Sequence, residues 1–309
     1  MSVQTDRVTL EEVSRLVVKG IENANTRAMY RKALGDFLIY WQGKLCPPLF
    51  QEVVESHKSY LTDRGYSPSS VNQRLAAIRR LALRAVDEGI LSADHVAGVL
   101  RVKGVKKTAA TQGGCLTTQQ AEALMNVPDP RGKKGKRDRA LLALLVGCGL
   151  RRSEVVRLNV EDVLKEGGHW QLVGVKGIYG KARMVPIPGW ARVALDRWIR
   201  AARIRAGAIF RALDSNGEPT NRNLSAPMIL AIVSGYGKQI GIEINPRNLR
   251  RTCAKLCRGG GADLEQIQLF LGHSSIQMTA QFLGRRENMS SPPNGRLGLR
   301  WRRTKKLAS

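Results

Sequence analysis

Over 309 residues the chain carries 51 Lys and Arg against 25 Asp and Glu, a formal charge of +26, with 43% hydrophobic residues. Such an excess of cations marks a polyanion as the partner, because each neutralised phosphate releases counterions. The apolar content sets it apart from a ribosomal or histone-like packaging protein, and the length fits about two domains. No apolar run reaches the ~18 residues of a membrane span and no secretory h-region opens the chain, so a cytoplasmic protein with no membrane partner is expected. The five cysteines, Cys46, Cys115, Cys148, Cys253 and Cys257, include no CxxC pair and read as reduced thiols; no metal site is expected.

Residues 1–101 are helical in pattern. Thr9 and Glu12 form a capping box opening an amphipathic stretch through Val13, Leu16 and Val17. Met29, Tyr30, Leu34, Phe37, Leu38 and Trp41 make a second apolar stripe, and Pro47-Pro48 breaks the chain. A third helix covers about 50–63, ending at Gly65. The fourth starts at Ser67-Pro68, where serine caps and proline enters the first turn. It turns Val71, Leu75, Ile78 and Leu81 inward and carries Gln73, Arg74, Arg79, Arg80 and Arg84 on other faces. An arginine-rich face is usually just solvated, but in a chain this basic Arg74, Arg79 and Arg80 are assigned to phosphates.

Residues 102–114 (VKGVKKTAATQGG) lose periodicity and read as a flexible linker whose Lys103, Lys106 and Lys107 track a phosphate backbone. A second domain, 115–288, begins at Leu116-Thr117. The run 131–137 reads as a charged surface loop and 138–149 as a buried helix. A hairpin follows, His169–Val173 against Met184–Ile187, then helices at about 189–206, 224–239 and 249–258, and one capped by Asp263 with Gln266. Residues 289–309 form a basic tail in which Pro292-Pro293 argues against a continuous helix.

Three segments carry chemistry: Gly149-Leu150-Arg151-Arg152-Ser153-Glu154, Arg247-Asn248-Leu249-Arg250-Arg251-Thr252, and Leu271-Gly272-His273 continuing to Gln281-Phe282. Two arginines near helix N-termini suit a phosphate, since a guanidinium fork holds two oxygens and the helix end favours anions. In this order the segments resemble the active-site boxes of the tyrosine recombinase (phage integrase) family, and Tyr66–Asn72 resembles the fourth helix of its core-binding domain.

The resemblance implies a mainly α fold with a small β-hairpin or sheet. It also implies a two-domain, C-shaped DNA clamp built from a helical, SAM-like core-binding domain and an α+β integrase-type catalytic domain. It assigns Arg151 and Arg250 as the phosphate clamp, Glu154 as support for Arg151, and His273 as a further phosphate donor. The general acid would be Lys176, with Lys181 in the same turn as competitor. Arg247 stands where the family usually has histidine; it keeps charge but shuttles no proton near neutral pH. Arg152, Lys181 and Arg251 are further DNA contacts. Nine residues after His273, where the family places its nucleophilic tyrosine, stands Phe282, which has no oxygen to attack phosphorus. The chain would therefore bind DNA without cutting it, either as a Tyr-to-Phe form of an active enzyme or as a naturally inactive relative with an architectural or regulatory role. The implied partners are a duplex recombination site and further copies of the chain, a dimer on one site and a tetramer on paired sites. No cofactor is implied, and the setting would be bacterial or phage-like, nucleoid-associated, on a mobile genetic element.

Overall fold

The computed structural model describes residues 3–45, 51–106, 114–177 and 180–284. The chain divides into two compact units, Met1–Gln112 and Gly113–Ser309. Cys46, Pro47-Pro48, Lys107 and the tail 289–309 lie outside the described residues.

The first unit is built from helices α1 (Val3–Lys19), α2 (Ala24–Gln42), α3 (Gln51–Asp63), α4 (Pro68–Asp87) and α5 (Ala93–Arg101). Ser67 accepts from the Ser70 N–H and Pro68 opens the first turn, so α4 starts where its cap requires. Its Val71, Leu75, Ile78 and Leu81 are all within 1% of full burial, and α1, α2, α3 and α5 pack around it. Two expectations change, and a fifth helix is added. Helix α1 begins at Val3, so Thr9 lies inside it instead of capping it; nothing in the preceding residues breaks a helix. Leu16 and Met29 are 43% and 45% exposed, at the margins of their stripes. Helix α5, too short to show a clear period, starts at a Ser92 cap and buries Val96 and Val99.

Residues 102–106, read as the start of a linker, are tied to α4. Val102 is buried, and the Asn72 side chain accepts from the Val105 N–H at 2.7 Å and donates to its carbonyl at 2.9 Å. Gly104 permits this approach: a Cβ there would stand 2.6 Å from Asn72 Oδ1.

The second unit contains α6 (Thr118–Asn126), α7 (Lys133–Gly147), α8 (Arg152–Val155) and an antiparallel sheet of β1 (Val163–Glu166), β2 (His169–Lys176) and β3 (Ala182–Pro186), in that order. Then come α9 (Gly189–Ala201), a ribbon of β4 (Arg211–Leu213) and β5 (Pro219–Asn223), α10 (Ala226–Gln239), α11 (Pro246–Gly259), α12 (Leu264–Leu271) and α13 (Ile276–Leu283). The core forms around α7, whose Leu141, Leu142, Leu144 and Leu145 are fully buried and which packs against α6, α9 and α11. Each such leucine contributes roughly 2 kcal/mol of transfer free energy.

The run 131–137 is not the expected surface loop, because α7 starts at Lys133. Two of its charges are paired: Lys133 with Glu218, and buried Arg137 with buried Asp138 at 2.8 Å. Helix α9 ends at Ala201, short of the expected 206, where Arg203 takes a positive φ of 53°.

Candidate active site

Arg151, Arg152, Arg247, Arg250, His273 and Phe282 line one cleft of about 550 Å³, with Leu230 and Met278 among its walls. The three sequence segments reach it from α8, α11 and α12–α13. Gly149 turns the chain out of α7 at φ 58°, and Leu150 anchors the turn in the core, which leaves Arg151 as the N-cap of α8. A Cβ on Gly149 would stand 2.8 Å from Leu271 Cδ2, so only glycine lets α12 come this close.

Glu154 is the carboxylate at the centre of the cationic cluster, with a side chain 2% exposed. It accepts from the Arg151 backbone N–H at 2.8 Å and from Arg151 Nη1 at 2.7 Å. Both Nη atoms of Arg183 donate to it at 2.9 Å, and Arg250 Nη1 stands at 3.9 Å. Burial works against its charge, but hydrogen bonds and charge from Arg183 and then Arg151 hold its carboxyl below the usual range.

Three arginines hold three consecutive carbonyls at the end of α12. Arg183 Nε donates to Phe270 O at 3.0 Å, Arg250 Nη2 to Leu271 O, and Arg151 Nη2 to Gly272 O at 3.3 Å. Arg250 Nη1 also donates to Gly149 O at 2.6 Å. The C-terminal end of a helix is its negative pole, so these contacts are favourable both as hydrogen bonds and as dipole interactions. Arg250 is an interior residue of α11, not its first turn as expected, and is 4% exposed. Burial first, and the Arg151 charge next, bring it down to about 9, still protonated at neutral pH. Exposed Arg247 occupies the first turn of α11.

His273 follows the αL glycine Gly272, which ends α12. Its Nδ1 lies 3.0 Å from Oγ1 of fully buried Thr279, leaving Nε2 as the nitrogen Thr279 does not engage. Burial, then Arg250, Arg151, Arg183 and Arg247, lower it to about 4, so the imidazole is neutral at pH 7 until an anion offsets those charges. The Phe282 ring, on α13 one turn beyond Thr279, meets it edge-on with centroids 5.1 Å apart.

Lys176 and Lys181 flank the turn between β2 and β3, where Gly177 N–H bonds Lys181 O at 3.1 Å; both lysines are exposed. The Cβ direction of Gly177 points to within 3.9 Å of Arg151 Nη1, which sets this turn beside the cleft. Tyr236 is half-buried against the core, its hydroxyl donating to Asp138 at 2.9 Å and its pKa pushed upward by burial and then by that carboxylate, so it offers no nucleophile.

The arginine face of α4 divides. Arg74 is 8% exposed, bound to Asp36 at 2.8 Å with its guanidinium over the Tyr66 ring, so it is not on an open face as expected. Arg79 is half-buried and donates to Val102 O. Arg80, Lys103 and Lys106 are exposed, as is Arg152 in the second unit, whereas Arg251 is half-buried. Among the described residues no three His, Cys, Asp or Glu side chains gather as metal ligands would. Sequence reasoning missed Arg183 and Thr279; only the register that sets Val175 opposite Arg183 aims that arginine at Glu154.

The phage integrase family profile matches residues 115–288, which include the whole cleft. The chain belongs to the phage integrase family. It is 31% identical to the tyrosine recombinase XerC of Pelobacter propionicus over 267 residues, 84% of each chain. It is 30% identical to XerD of Pseudomonas aeruginosa over 84% of this chain and 86% of that one. Among solved structures, a lambda integrase dimer bound to a COC' core site matches with a TM-score of 0.70 at 16% identity, over 93% of this chain and 97% of that chain. The XerH recombinase bound to a palindromic difH substrate, a post-cleavage complex, matches with a TM-score of 0.68 at 19% identity, over 83% and 75%. These likenesses show the recombinase fold.

Proposed function

We propose that this integrase-family chain binds a duplex recombination site around one phosphate and, with Phe282 at the nucleophile position, does not cut it. The observation that carries the reading is the Phe282 ring edge-on to His273 in the cleft shared by Arg151, Arg247 and Arg250. A tyrosine there would set its hydroxyl at a phosphorus held by these cations. The tyrosine oxygen would form a bond to phosphorus as its hydroxyl proton passes to solvent, and the bond to the 5′ oxygen would break. Lys176, in preference to Lys181, would give that oxygen its proton. Arg151, Arg250 and His273 would stabilise the charge gathering on the nonbridging oxygens. Without the hydroxyl the same cations give binding alone.

Arg80, Lys103, Lys106, Arg152, Lys181 and Arg251 extend the contact along the backbone. The chain would act as a dimer on one site and a tetramer on paired sites, in a nucleoid-associated, cytoplasmic setting. A second reading, a naturally inactive relative serving as an architectural DNA binder, is favoured by Arg247, which cannot accept a proton near neutral pH.

The test is a salt titration of duplex binding. With about eight phosphates neutralised per protomer, log affinity falls against log salt with a slope near −7, by ~0.9 per contact. A flat dependence would contradict the proposal.

A further inference from the structure

Arg183 belongs to none of the three sequence segments, yet it joins two of them. Its two Nη atoms grip both oxygens of Glu154 at 2.9 Å, and the same carboxylate aims Arg151 through a 2.7 Å bond. Its Nε holds Phe270 O at 3.0 Å, at the start of the three-carbonyl clasp that ends at Gly272, the residue before His273. Its aliphatic stem lies under Gly272: a Cβ there would stand 2.9 Å from Arg183 Cδ, so the αL turn that aims His273 is seated on this side chain. With a side chain 10% exposed, Arg183 has little surface of its own to offer a phosphate.

We propose that Arg183 is a positioning residue for the cleavage chemistry, locking the Arg151–Glu154 pair to the turn that carries His273 so that both meet one phosphate. This rests on the recombinase reading of the cleft. A bidentate fork together with a third donor on Nε is geometry that only arginine supplies. Lysine would keep the charge and lose the joint hold on Glu154 and Phe270.

The first measurement needs no nucleophile. In the Phe282 protein, the His273 ring is titrated by carbon-13 NMR in the parent, Arg183→Lys and Arg183→Met chains. The groups facing His273 are Arg151 from α8, Arg183 from β3, Arg247 and Arg250 from α11, and Thr279 from α13. Arg183→Met is expected to raise the His273 midpoint by about one pH unit, since one facing cation is lost and the Glu154 charge is left less balanced. Amide signals of α7 and α9 should stay in place. An unchanged midpoint would overturn the proposal.

The second measurement uses the Phe282→Tyr background. Arg183→Lys is expected to lower single-turnover cleavage 10- to 100-fold, the scale of a small misplacement of reacting groups, while the Kd for the site stays within twofold. Cleavage at the parent rate would overturn the proposal, as would a loss carried wholly by Kd. If the Phe282→Tyr chain does not cleave at all, the recombinase reading fails, and the NMR titration still decides whether Arg183 positions the cleft.

Discussion

Replacing Glu154 by glutamine tests the electrostatics of the cleft most sharply. The change keeps the shape and one acceptor oxygen while removing the negative charge that balances Arg151, Arg183 and Arg250, which lie 2.7, 2.9 and 3.9 Å away. At an effective dielectric of about 20, each close pair is worth roughly 4 kcal/mol of Coulomb attraction, set against several kcal/mol for desolvating the carboxylate. Removing one partner of such a buried set costs about 3–5 kcal/mol, because uncompensated cations remain. Urea denaturation, followed through tryptophan fluorescence, to which the second unit contributes Trp170, Trp190, Trp198 and Trp301, should show this as a lower midpoint. Duplex DNA should recover part of the loss, since a phosphate entering the cleft replaces the missing charge. A loss under about 1 kcal/mol, or no recovery with DNA, would refute the view that Glu154 balances the cluster.

With Phe282 replaced by tyrosine, Arg151→Ala and Arg250→Ala should each slow cleavage by at least ~10²-fold while site binding persists, checked by single-turnover rates beside mobility shifts. In the first unit, His57 is fully buried among Phe37, Tyr40 and Tyr60 with both ring nitrogens unpaired, and burial, then Arg74, lower it from 6.5 to about 4. Its neutral form is the one the fold accepts. The contribution is therefore complete above pH 6.5 and is lost, by up to about 3 kcal/mol, as pH falls toward 4. Hydrogen exchange of α2 and α4 at pH 7 and 4.5 should show the loss, and His57→Leu should remove His57's share of it.

The strongest local signals were legible in the sequence. Ser67-Pro68 and the Asp263–Gln266 box cap their helices as read, and the hairpin lies where alternation placed it. Arg151, Arg250 and His273, far apart in sequence, meet in one cleft because helix ends on one buried scaffold carry them. What escaped depended on partners remote along the chain. Arg137 looked like surface charge, yet it is buried against Asp138, whose carboxylate also accepts from the Tyr236 hydroxyl nearly 100 positions away, a partner that no local pattern encodes. Arg74 looked free because Asp36 sits on another helix. Short elements such as β4, β5 and α5 hold too few residues for a period to emerge.

On the proposed function, one missing oxygen separates this chain from a strand-cleaving enzyme. Phe282→Tyr adds that oxygen to a ring already packed beside His273 and the α11–α12 cluster of Ala254, Ile267 and Leu271. The decisive measurement is a nicked suicide substrate bearing the cognate site, with covalent protein–DNA adduct read on denaturing gels. The Phe282 chain should give no adduct, and Phe282→Tyr should give a 3′-phosphotyrosyl adduct. Adduct from the Phe282 chain itself, or none from Phe282→Tyr on a site it binds, would contradict the proposed function.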